Sequence, residues 1–149
     1  MDGVSSAYVY PLRRGLGTVD VAITSANQLP STETLAAVQN YIDAVRPVTA
    51  KNVRVLAPDI TRVDVRVRVK LAGADWAAAQ REIQAALAAY FDALTPADDV
   101  VVSQLEAVIS NVAGVVDRVL LAPRENLLAD TVHKIEWFKL GSLNMERMA

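Results

Sequence analysis

Residues 62–71 read RVDVRVRVKL, and this stretch decides the fold. Every odd position holds an aliphatic residue, and every even position holds a charged one. A period of two places the aliphatic side chains on one face of a β-strand and the charges on the other. We therefore expect a long strand with one face in a hydrophobic core and the other in water.

The chain after this strand predicts two helices and two further strands. Asp75 is expected to cap a helix that runs to about Leu94, because an aspartate at this position accepts from the first free amides. Ser103 and Glu106 have the spacing of a capping box and predict a short helix that ends near Gly114. A strand from Val115 to Leu121 should follow, and then a last strand from Val132 to Leu140, or as far as Met145.

The chain before residue 62 predicts a hairpin, a helix and a strand. The two hairpin strands are expected from Ala7 to Pro11 and from Gly17 to Thr24. Asp20 and Asp64 are both expected on outer strand faces. Ser31 or Thr32 should begin a helix that Pro47 ends, since the residue before proline avoids the α region. A strand region from Lys51 to Ala57 then leads to a break at Pro58 and Asp59.

The predicted order is β-β-α-β for residues 1–58 and β-α-α-β-β for residues 59–149. Strands and helices are mixed without strict alternation, which indicates an α+β fold. We expect two small α+β subdomains of mostly antiparallel sheet, with helices packed on one face of each.

Composition excludes several classes of function. The 149 residues include no cysteine and one histidine, His133, so disulfides and the common zinc sites are not expected. The net charge of −2 gives no general affinity for nucleic acid. No apolar run reaches the roughly 18 residues of a membrane span, and no signal peptide is recognisable, so we expect a protein made in the cytoplasm.

Candidate catalytic and metal-binding residues each have a simpler interpretation. His133 is isolated, and a lone histidine beside a strand is more often a surface residue. The adjacent Asp98 and Asp99 lack the loop spacing of a calcium site. The Gly15-Leu16-Gly17 sequence precedes a strand rather than a helix, which indicates a hairpin turn and not a phosphate loop. We expect no catalytic residue, metal, cofactor or small-molecule substrate.

Two surfaces are candidates for contact with partner proteins. The basic residues of the alternating strand could dock an acidic partner, although a solvated face that discourages aggregation is the alternative. The last residues hold more apolar bulk than an edge strand needs, and the surplus could either cover the second helix or form an exposed patch. The candidate interface residues are Arg62, Arg66, Arg68, Lys70, Trp137, Phe138, Leu143 and Met145.

Three stretches in this order resemble one known family. They are GVSSAYVYPLRRGLGTVDVAI (3–23), AVQNYIDAVRPVTAKNVRVLAP (37–58) and DDVVVSQLEAVISNVAGVVDRVLLAP (98–123). Together they are similar to the carboxy-terminal part of the baseplate J-like wedge proteins of contractile phage tails, including those of Mu-like and P2-like phages. Family members carry a long portion ahead of the first stretch, so the chain is expected to be a piece of such a protein or the product of a truncated gene.

The resemblance implies a structural role without catalytic residues. Such proteins form wedges around a central hub, and the wedges join into a sixfold baseplate. The implied partners are other wedge and hub proteins and further copies of the chain, with no nucleic acid and no membrane. The implied location is the virion tail baseplate, after synthesis in the host bacterial cytoplasm. The alternative is a stand-alone α+β binding module that docks an acidic partner on its basic strand face.

Overall fold

The computed structural model describes residues 1–47, 49 and 52–149. Val48, Ala50 and Lys51, which belong to the second of the three stretches, lie outside the described residues. The described part has an α+β fold, which confirms the predicted class, and its helices and strands follow one another in the predicted order. It contains β1 (Ser6–Pro11), β2 (Thr18–Thr24), α1 (Thr32–Val45), β3 (Asn52–Leu56), β4 (Asp59–Leu71), α2 (Trp76–Asp92), α3 (Val102–Ser110), β5 (Val115–Ala122) and β6 (Glu136–Arg147).

The chain divides into two compact units. The amino-terminal unit comprises Met1–Asp59 with Asp130–Glu136, and the carboxy-terminal unit comprises Ile60–Ala129 with Trp137–Ala149. The segment 130–136, which the sequence analysis assigned to the second half, thus belongs to the first unit. The boundary expected between residues 58 and 59 stays a prediction.

Each unit has a mixed sheet of three described strands, in the orders β1-β2-β3 and β5-β4-β6. In the first sheet β1 is antiparallel to β2, whereas β3 is parallel to it. In the second, β5 is antiparallel to β4. The amide of Ser142 donates to Asp64, and farther along both strands the amide of Met148 donates to the carbonyl of Val69. Residue numbers increase in the same direction along both strands in these two contacts, so β6 runs parallel to β4. The sheets are therefore mixed rather than mostly antiparallel.

The strand β4 has the predicted two faces and organises the larger core. Its four alternating valines are buried, and α2 and α3 contribute apolar residues to the same cluster. Burying apolar side chains at about 25 cal/mol per Å² is the main stabilising contribution to such a core. The buried members are Val63, Val65, Val67, Val69, Ile83, Leu87, Phe91, Val100, Leu105, Ile109 and Phe138.

The helices begin where free amides find oxygen acceptors. Ser31 accepts from the amide of Thr34 at 3.1 Å, and Asp75 caps α2 as predicted. The predicted capping box of α3 is wrong, because that helix begins at Val102 and no side chain of its own cap residue accepts a bond. Instead, Asn126 accepts from the amide of Val102 at 2.8 Å, an interaction between residues 24 positions apart.

The last strand begins and ends later than predicted, and its alternation changes phase. The residues of β6 that pack with the core are Phe138, Leu140, Leu143 and Met145. A step of three separates Leu140 from Leu143, whereas a regular strand would repeat every two residues. The change of phase indicates a β-bulge at Gly141 and Ser142.

The bulge is fixed by Asp64 of the neighbouring strand. Its Oδ1 accepts from the amide of Ser142 at 2.8 Å, and hydrogen bonds from this amide and from the Ser142 side chain lower the pKa of the carboxyl. A Cβ atom at position 141 would overlap with the same carboxylate and lie 3.2 Å from the carbonyl oxygen of Val63. A side chain at this position would therefore displace the Asp64 carboxylate and press on the backbone of Val63.

The amino-terminal unit has a small core and a buried ionic cluster. The buried members of its hydrophobic cluster are Val21, Ile23 and Val38, and Ala22 and Ile135 are buried outside that cluster. So small a cluster gives little hydrophobic stabilisation to a sheet of this size. The outer-face expectation for Asp20 is wrong, since only 1% of this residue is exposed. All but one residue of β2 are buried, so both faces of this middle strand are covered.

Three arginines surround the buried carboxylate. Arg13 Nε and Nη2 donate to Oδ2 of Asp20 at 2.8 and 2.7 Å, and Arg14 Nε donates to Oδ1 at 2.6 Å. Arg54 from β3 donates to Oδ2 at 3.2 Å. Burial alone would raise the pKa of Asp20, but the hydrogen bonds from Arg14 and Arg13 and the charge of Arg54 outweigh it and lower the pKa. The cluster thus ties the hairpin turn to β2 and β3.

We predict that Gly141→Ala lowers the free energy of unfolding by about 1–3 kcal/mol, because the added methyl group forces the bulge away from Asp64. Urea denaturation measures the change. Asn144→Ala, an exposed change in the same strand, is the control and should have little effect. A Gly141→Ala variant as stable as the wild type would contradict the packing described.

We predict that Asp20→Asn destabilises the protein by about 2–5 kcal/mol at neutral pH, because it leaves converging guanidinium groups without their counter-charge. Folding lowers the pKa of Asp20, so its contribution is complete above the ordinary value of 3.8 and is lost as the pH falls through the lowered value. Urea denaturation of both proteins at several pH values should therefore show the difference shrinking only in acid. Asp43→Asn, at an exposed position of α1, is the matched control. An Asp20 effect no larger than that of the control would refute the assignment.

Candidate partner-binding surfaces

The four basic residues of β4 lie on its solvent face. Arg62, Arg66, Arg68 and Lys70 are all exposed, as expected from their alternation with buried valines. The side chains of Arg66 and Arg68 are each 54% exposed. Helices α2 and α3 of the same unit pack on the opposite face, with the valines. The position of the basic face is therefore suitable for contact with another molecule.

Carboxylates from both neighbouring strands reduce the charge of this face. Glu146 of β6 accepts from Arg66 and Arg68 at 3.2 Å each, and hydrogen bonds from Arg68 and Arg66 lower its pKa. The register places Asp117 of β5 opposite Lys70. With Asp64, three carboxylates stand beside four cations, which leaves one net positive charge. The face is thus of mixed charge, and this weakens the interpretation as a dock for a strongly acidic partner.

The aromatic candidates of the final strand lie in the interior. Trp137 is 1% exposed and Phe138 is 4% exposed. The two side chains point to opposite faces of β6, since Phe138 joins the valine core while Trp137 does not. Trp137 Nε1 donates to the carbonyl of Leu94 at 3.0 Å, and the ammonium group of Lys139 lies 4.0 Å from the centre of its ring. Neither aromatic residue forms a surface of the isolated chain.

The remaining apolar candidates are half-buried. Leu143 and Met145 pack against the same core as Phe138. The same cluster includes apolar residues of α2. A partner contact at these residues stays a prediction, and it concerns only the exposed parts of Leu143 and Met145.

The residues weighed for chemistry have structural roles. The side chain of His133 is 85% exposed, and its Nδ1 lies 3.1 Å from Asp130 Oδ2 in a local turn. Asp98 accepts from the amide and hydroxyl of Thr95, whereas Asp99 accepts from the amide of Ala129, so the adjacent carboxylates serve different turns. Among residues 1–47, 49 and 52–149, no three histidine, cysteine or acidic residues are grouped to hold a metal ion.

The tip of the β1–β2 hairpin has an arrangement that the sequence analysis missed. The tip comprises residues 12–17, and its arginines at positions 13 and 14 turn inward to Asp20. Its leucines point outward instead: Leu12 is 57% exposed and Leu16 is 93% exposed. Polar residues normally occupy the solvent side of a turn, so the polarity of this tip is reversed. The inward arginines and outward leucines could have been predicted from the sequence only if Asp20 had first been recognised as a buried residue.

An open groove lies beside the tip in the same unit. It has a volume of about 310 Å³ and is lined by Tyr10, Pro11, Leu12, Arg13, Thr131 and Val132. Val132 is 72% exposed and extends the apolar surface of the tip. Arg13 Nη1 donates to the carbonyl of Val132 at 3.1 Å and holds segment 130–136 next to the hairpin. The tip and the groove therefore form one continuous surface.

A second, smaller depression lies at the end of β4 in the carboxy-terminal unit. It has a volume of about 240 Å³ and is lined mainly by residues near Lys70, Trp76 and Arg147. The guanidinium carbon of Arg147 lies 4.7 Å from the centre of the Trp76 ring, a cation–π contact that occupies the cation. The depression is a polar surface without converging catalytic groups.

Comparison with known proteins gives one consistent result. Residues 1–57 match the Baseplate J-like central domain, and residues 63–146 match the Baseplate J-like protein C-terminal domain. No curated protein matches the chain significantly. In the described part of the chain, no helix is both long enough and apolar enough to cross a membrane. Because two consecutive domains of one family account for nearly all of its residues, the chain belongs to the baseplate J-like family, whose members have a structural role in the phage tail baseplate.

Proposed function

We propose that this protein is a structural component of a baseplate wedge, where it scaffolds assembly of a contractile phage tail through protein–protein contacts. The observation that carries the proposal is the order of the two family domains along the chain. Its partners are other wedge proteins, hub proteins and further copies of itself around a sixfold baseplate. The protein has no catalytic activity of its own and is made in the host bacterial cytoplasm before it enters the virion.

The arrangement of side chains supports a scaffold more than a catalyst. The carboxylates with lowered pKa values are Asp20, Asp64, Asp130 and Glu146. Each of these carboxylates is engaged by neighbouring donors and holds a strand or turn in place. A catalytic site usually combines perturbed groups inside one cleft, whereas these groups are dispersed through two units. Their dispersal is typical of a protein whose surfaces, rather than a pocket, carry the function.

The direct test is to purify contractile tails from the phage or prophage that encodes the chain. Mass spectrometry should find the protein in the tail fraction, and immunogold labelling should place it at the baseplate end. A deletion strain should yield tubes or sheaths without complete baseplates, and expression of the gene in trans should restore them. Complete, contractile tails from the deletion strain, or purified tails that lack the protein, would refute the proposal.

The mixed-charge face of β4 gives a second test. We predict that Arg66→Glu combined with Arg68→Glu reduces incorporation into baseplates while the purified chain keeps its melting temperature within a few degrees. The reason is that both residues are exposed and make only surface ion pairs, which contribute little to stability. The proportion of variant to wild-type protein in tails, after co-expression, measures the effect.

The matched control for this variant is Arg81→Glu, which reverses an exposed charge on α2. It should enter baseplates as the wild type does. Equal incorporation of the double variant would assign the β4 face to solvent alone and remove it from the candidate interface.

A further inference from the structure

The hairpin tip combines two features that point to a partner. Its side chains are arranged with the arginines inside and the leucines outside, and Leu16 is 93% exposed. A single exposed leucine is ordinary in a soluble protein. Here, however, Leu12 of the same tip and Val132 are exposed as well, and both line an open groove. A cluster of exposed apolar side chains beside a groove is typical of protein contact sites.

The second feature is an excess of positive charge behind the leucines. Three guanidinium groups meet one carboxylate at Asp20, so two positive charges have no counter-charge within the cluster. The side chain of Arg13 is only 11% exposed, but those of Arg14 and Arg54 are 30% and 50% exposed. Their outward edges can therefore donate to a further carboxylate, and a bidentate pair would add both energy and orientation.

The cluster also holds this surface in a fixed position. Besides binding Asp20, Arg14 donates through Nη2 to the carbonyl of Asn52 at 3.0 Å, and Arg13 donates to the carbonyl of Val132. The turn is thus attached to β2, to β3 and to segment 130–136. A surface held in this way loses little conformational entropy when it binds a partner.

We infer that the hairpin tip, residues 12–17 together with Arg54, docks into an apolar cleft of a neighbouring baseplate protein whose rim carries a carboxylate. The inference rests on the proposed function and names the chemistry of one of its partners. Leu16 enters the cleft, and Arg14 and Arg54 pair with the carboxylate. Tip-to-tip contact between two copies of this chain is unfavourable, because it would bring four uncompensated guanidinium charges together.

The contact is weak when it is made once. Complete burial of a leucine side chain corresponds to roughly a tenfold or greater gain in affinity. Repetition around a ring makes such a contact effective, since each subunit already held by its neighbours binds at a high local concentration. The tip therefore suits an assembly of many subunits better than an isolated pair.

The position of the partner can be read by photo-crosslinking in assembled tails. Leu16 is replaced by the photoreactive residue p-benzoylphenylalanine in the full chain, tails are assembled and irradiated, and the adducts are identified by mass spectrometry. We expect an adduct with a baseplate protein at an apolar segment that has Asp or Glu among its neighbours. The same replacement at Glu33, exposed on α1 of the same unit, should give no adduct with that segment.

The opposite outcomes are equally specific. Absence of any adduct in assembled tails, an adduct with nucleic acid or lipid, or an adduct between two hairpin tips would each overturn the inference. All three presuppose that the protein is present in the tails. A tail fraction that lacks the protein would instead refute the proposed function, so the two failures are distinguishable.

Substitutions measure the strength of the contact. When Leu16→Ser is co-expressed with the wild type, its share of the protein in tails should fall roughly tenfold. Leu128→Ser, a change at a leucine that is 74% exposed in the other unit, should leave the share unchanged. Arg54→Gln should also reduce incorporation, and its melting temperature shows whether folding contributes. Equal incorporation of Leu16→Ser and Leu128→Ser would overturn the inference, whatever Arg54→Gln does.

Discussion

On each face of the middle strand of a sheet, apolar side chains must be covered and polar side chains must be solvated or hydrogen-bonded. The two units meet this constraint differently. In β4 the valine face is covered by helices and the charged face remains in water, so alternation alone is sufficient. In β2 nearly every residue is buried, and Asp20 must therefore receive its hydrogen bonds from within the protein. A buried carboxylate is tolerated only when paired and hydrogen-bonded. The three arginines meet that requirement, and the shape of the hairpin tip follows from it.

Much of the fold could be predicted from local patterns. The strict alternation of β4, the cap at Asp75 and the helix end before Pro47 each depend on residues that are neighbours in sequence. The start of α3 could not be predicted in this way, because its first amide bonds to Asn126, far along the chain. The phase change of β6 was equally inaccessible, since it depends on Asp64 in another strand. Sequence periodicity describes one strand, whereas bulges and distant caps belong to pairs of elements.

For the candidate surfaces too, some properties follow from the sequence of one strand, and others depend on the neighbouring strands. The exposure of Arg66 and Arg68 followed directly from the period of two. The net charge of their face did not, because Glu146 and Asp117 come from neighbouring strands whose register only the folded chain defines. The aromatic bulk of the last strand was visible in the sequence, but the burial of Trp137 was not. Assignments of interfaces from one segment therefore need the cross-strand neighbours before charge or apolar area can be estimated.

The contacts of Asp20 also have a consequence for the order of folding. Arg13 and Arg14 lie seven and six residues before the aspartate, whereas Arg54 lies 34 residues after it. Closing a short loop costs less entropy than closing a long one, so the hairpin pairs can form before β3 docks. We therefore expect mutations in the hairpin turn to slow folding and give φ-values near 1, while Arg54→Gln should mainly accelerate unfolding and give a value near 0. Equal φ-values at the two sites would contradict this order. A single carboxylate would thus act first as the closing contact of a hairpin and later as the anchor of a parallel strand.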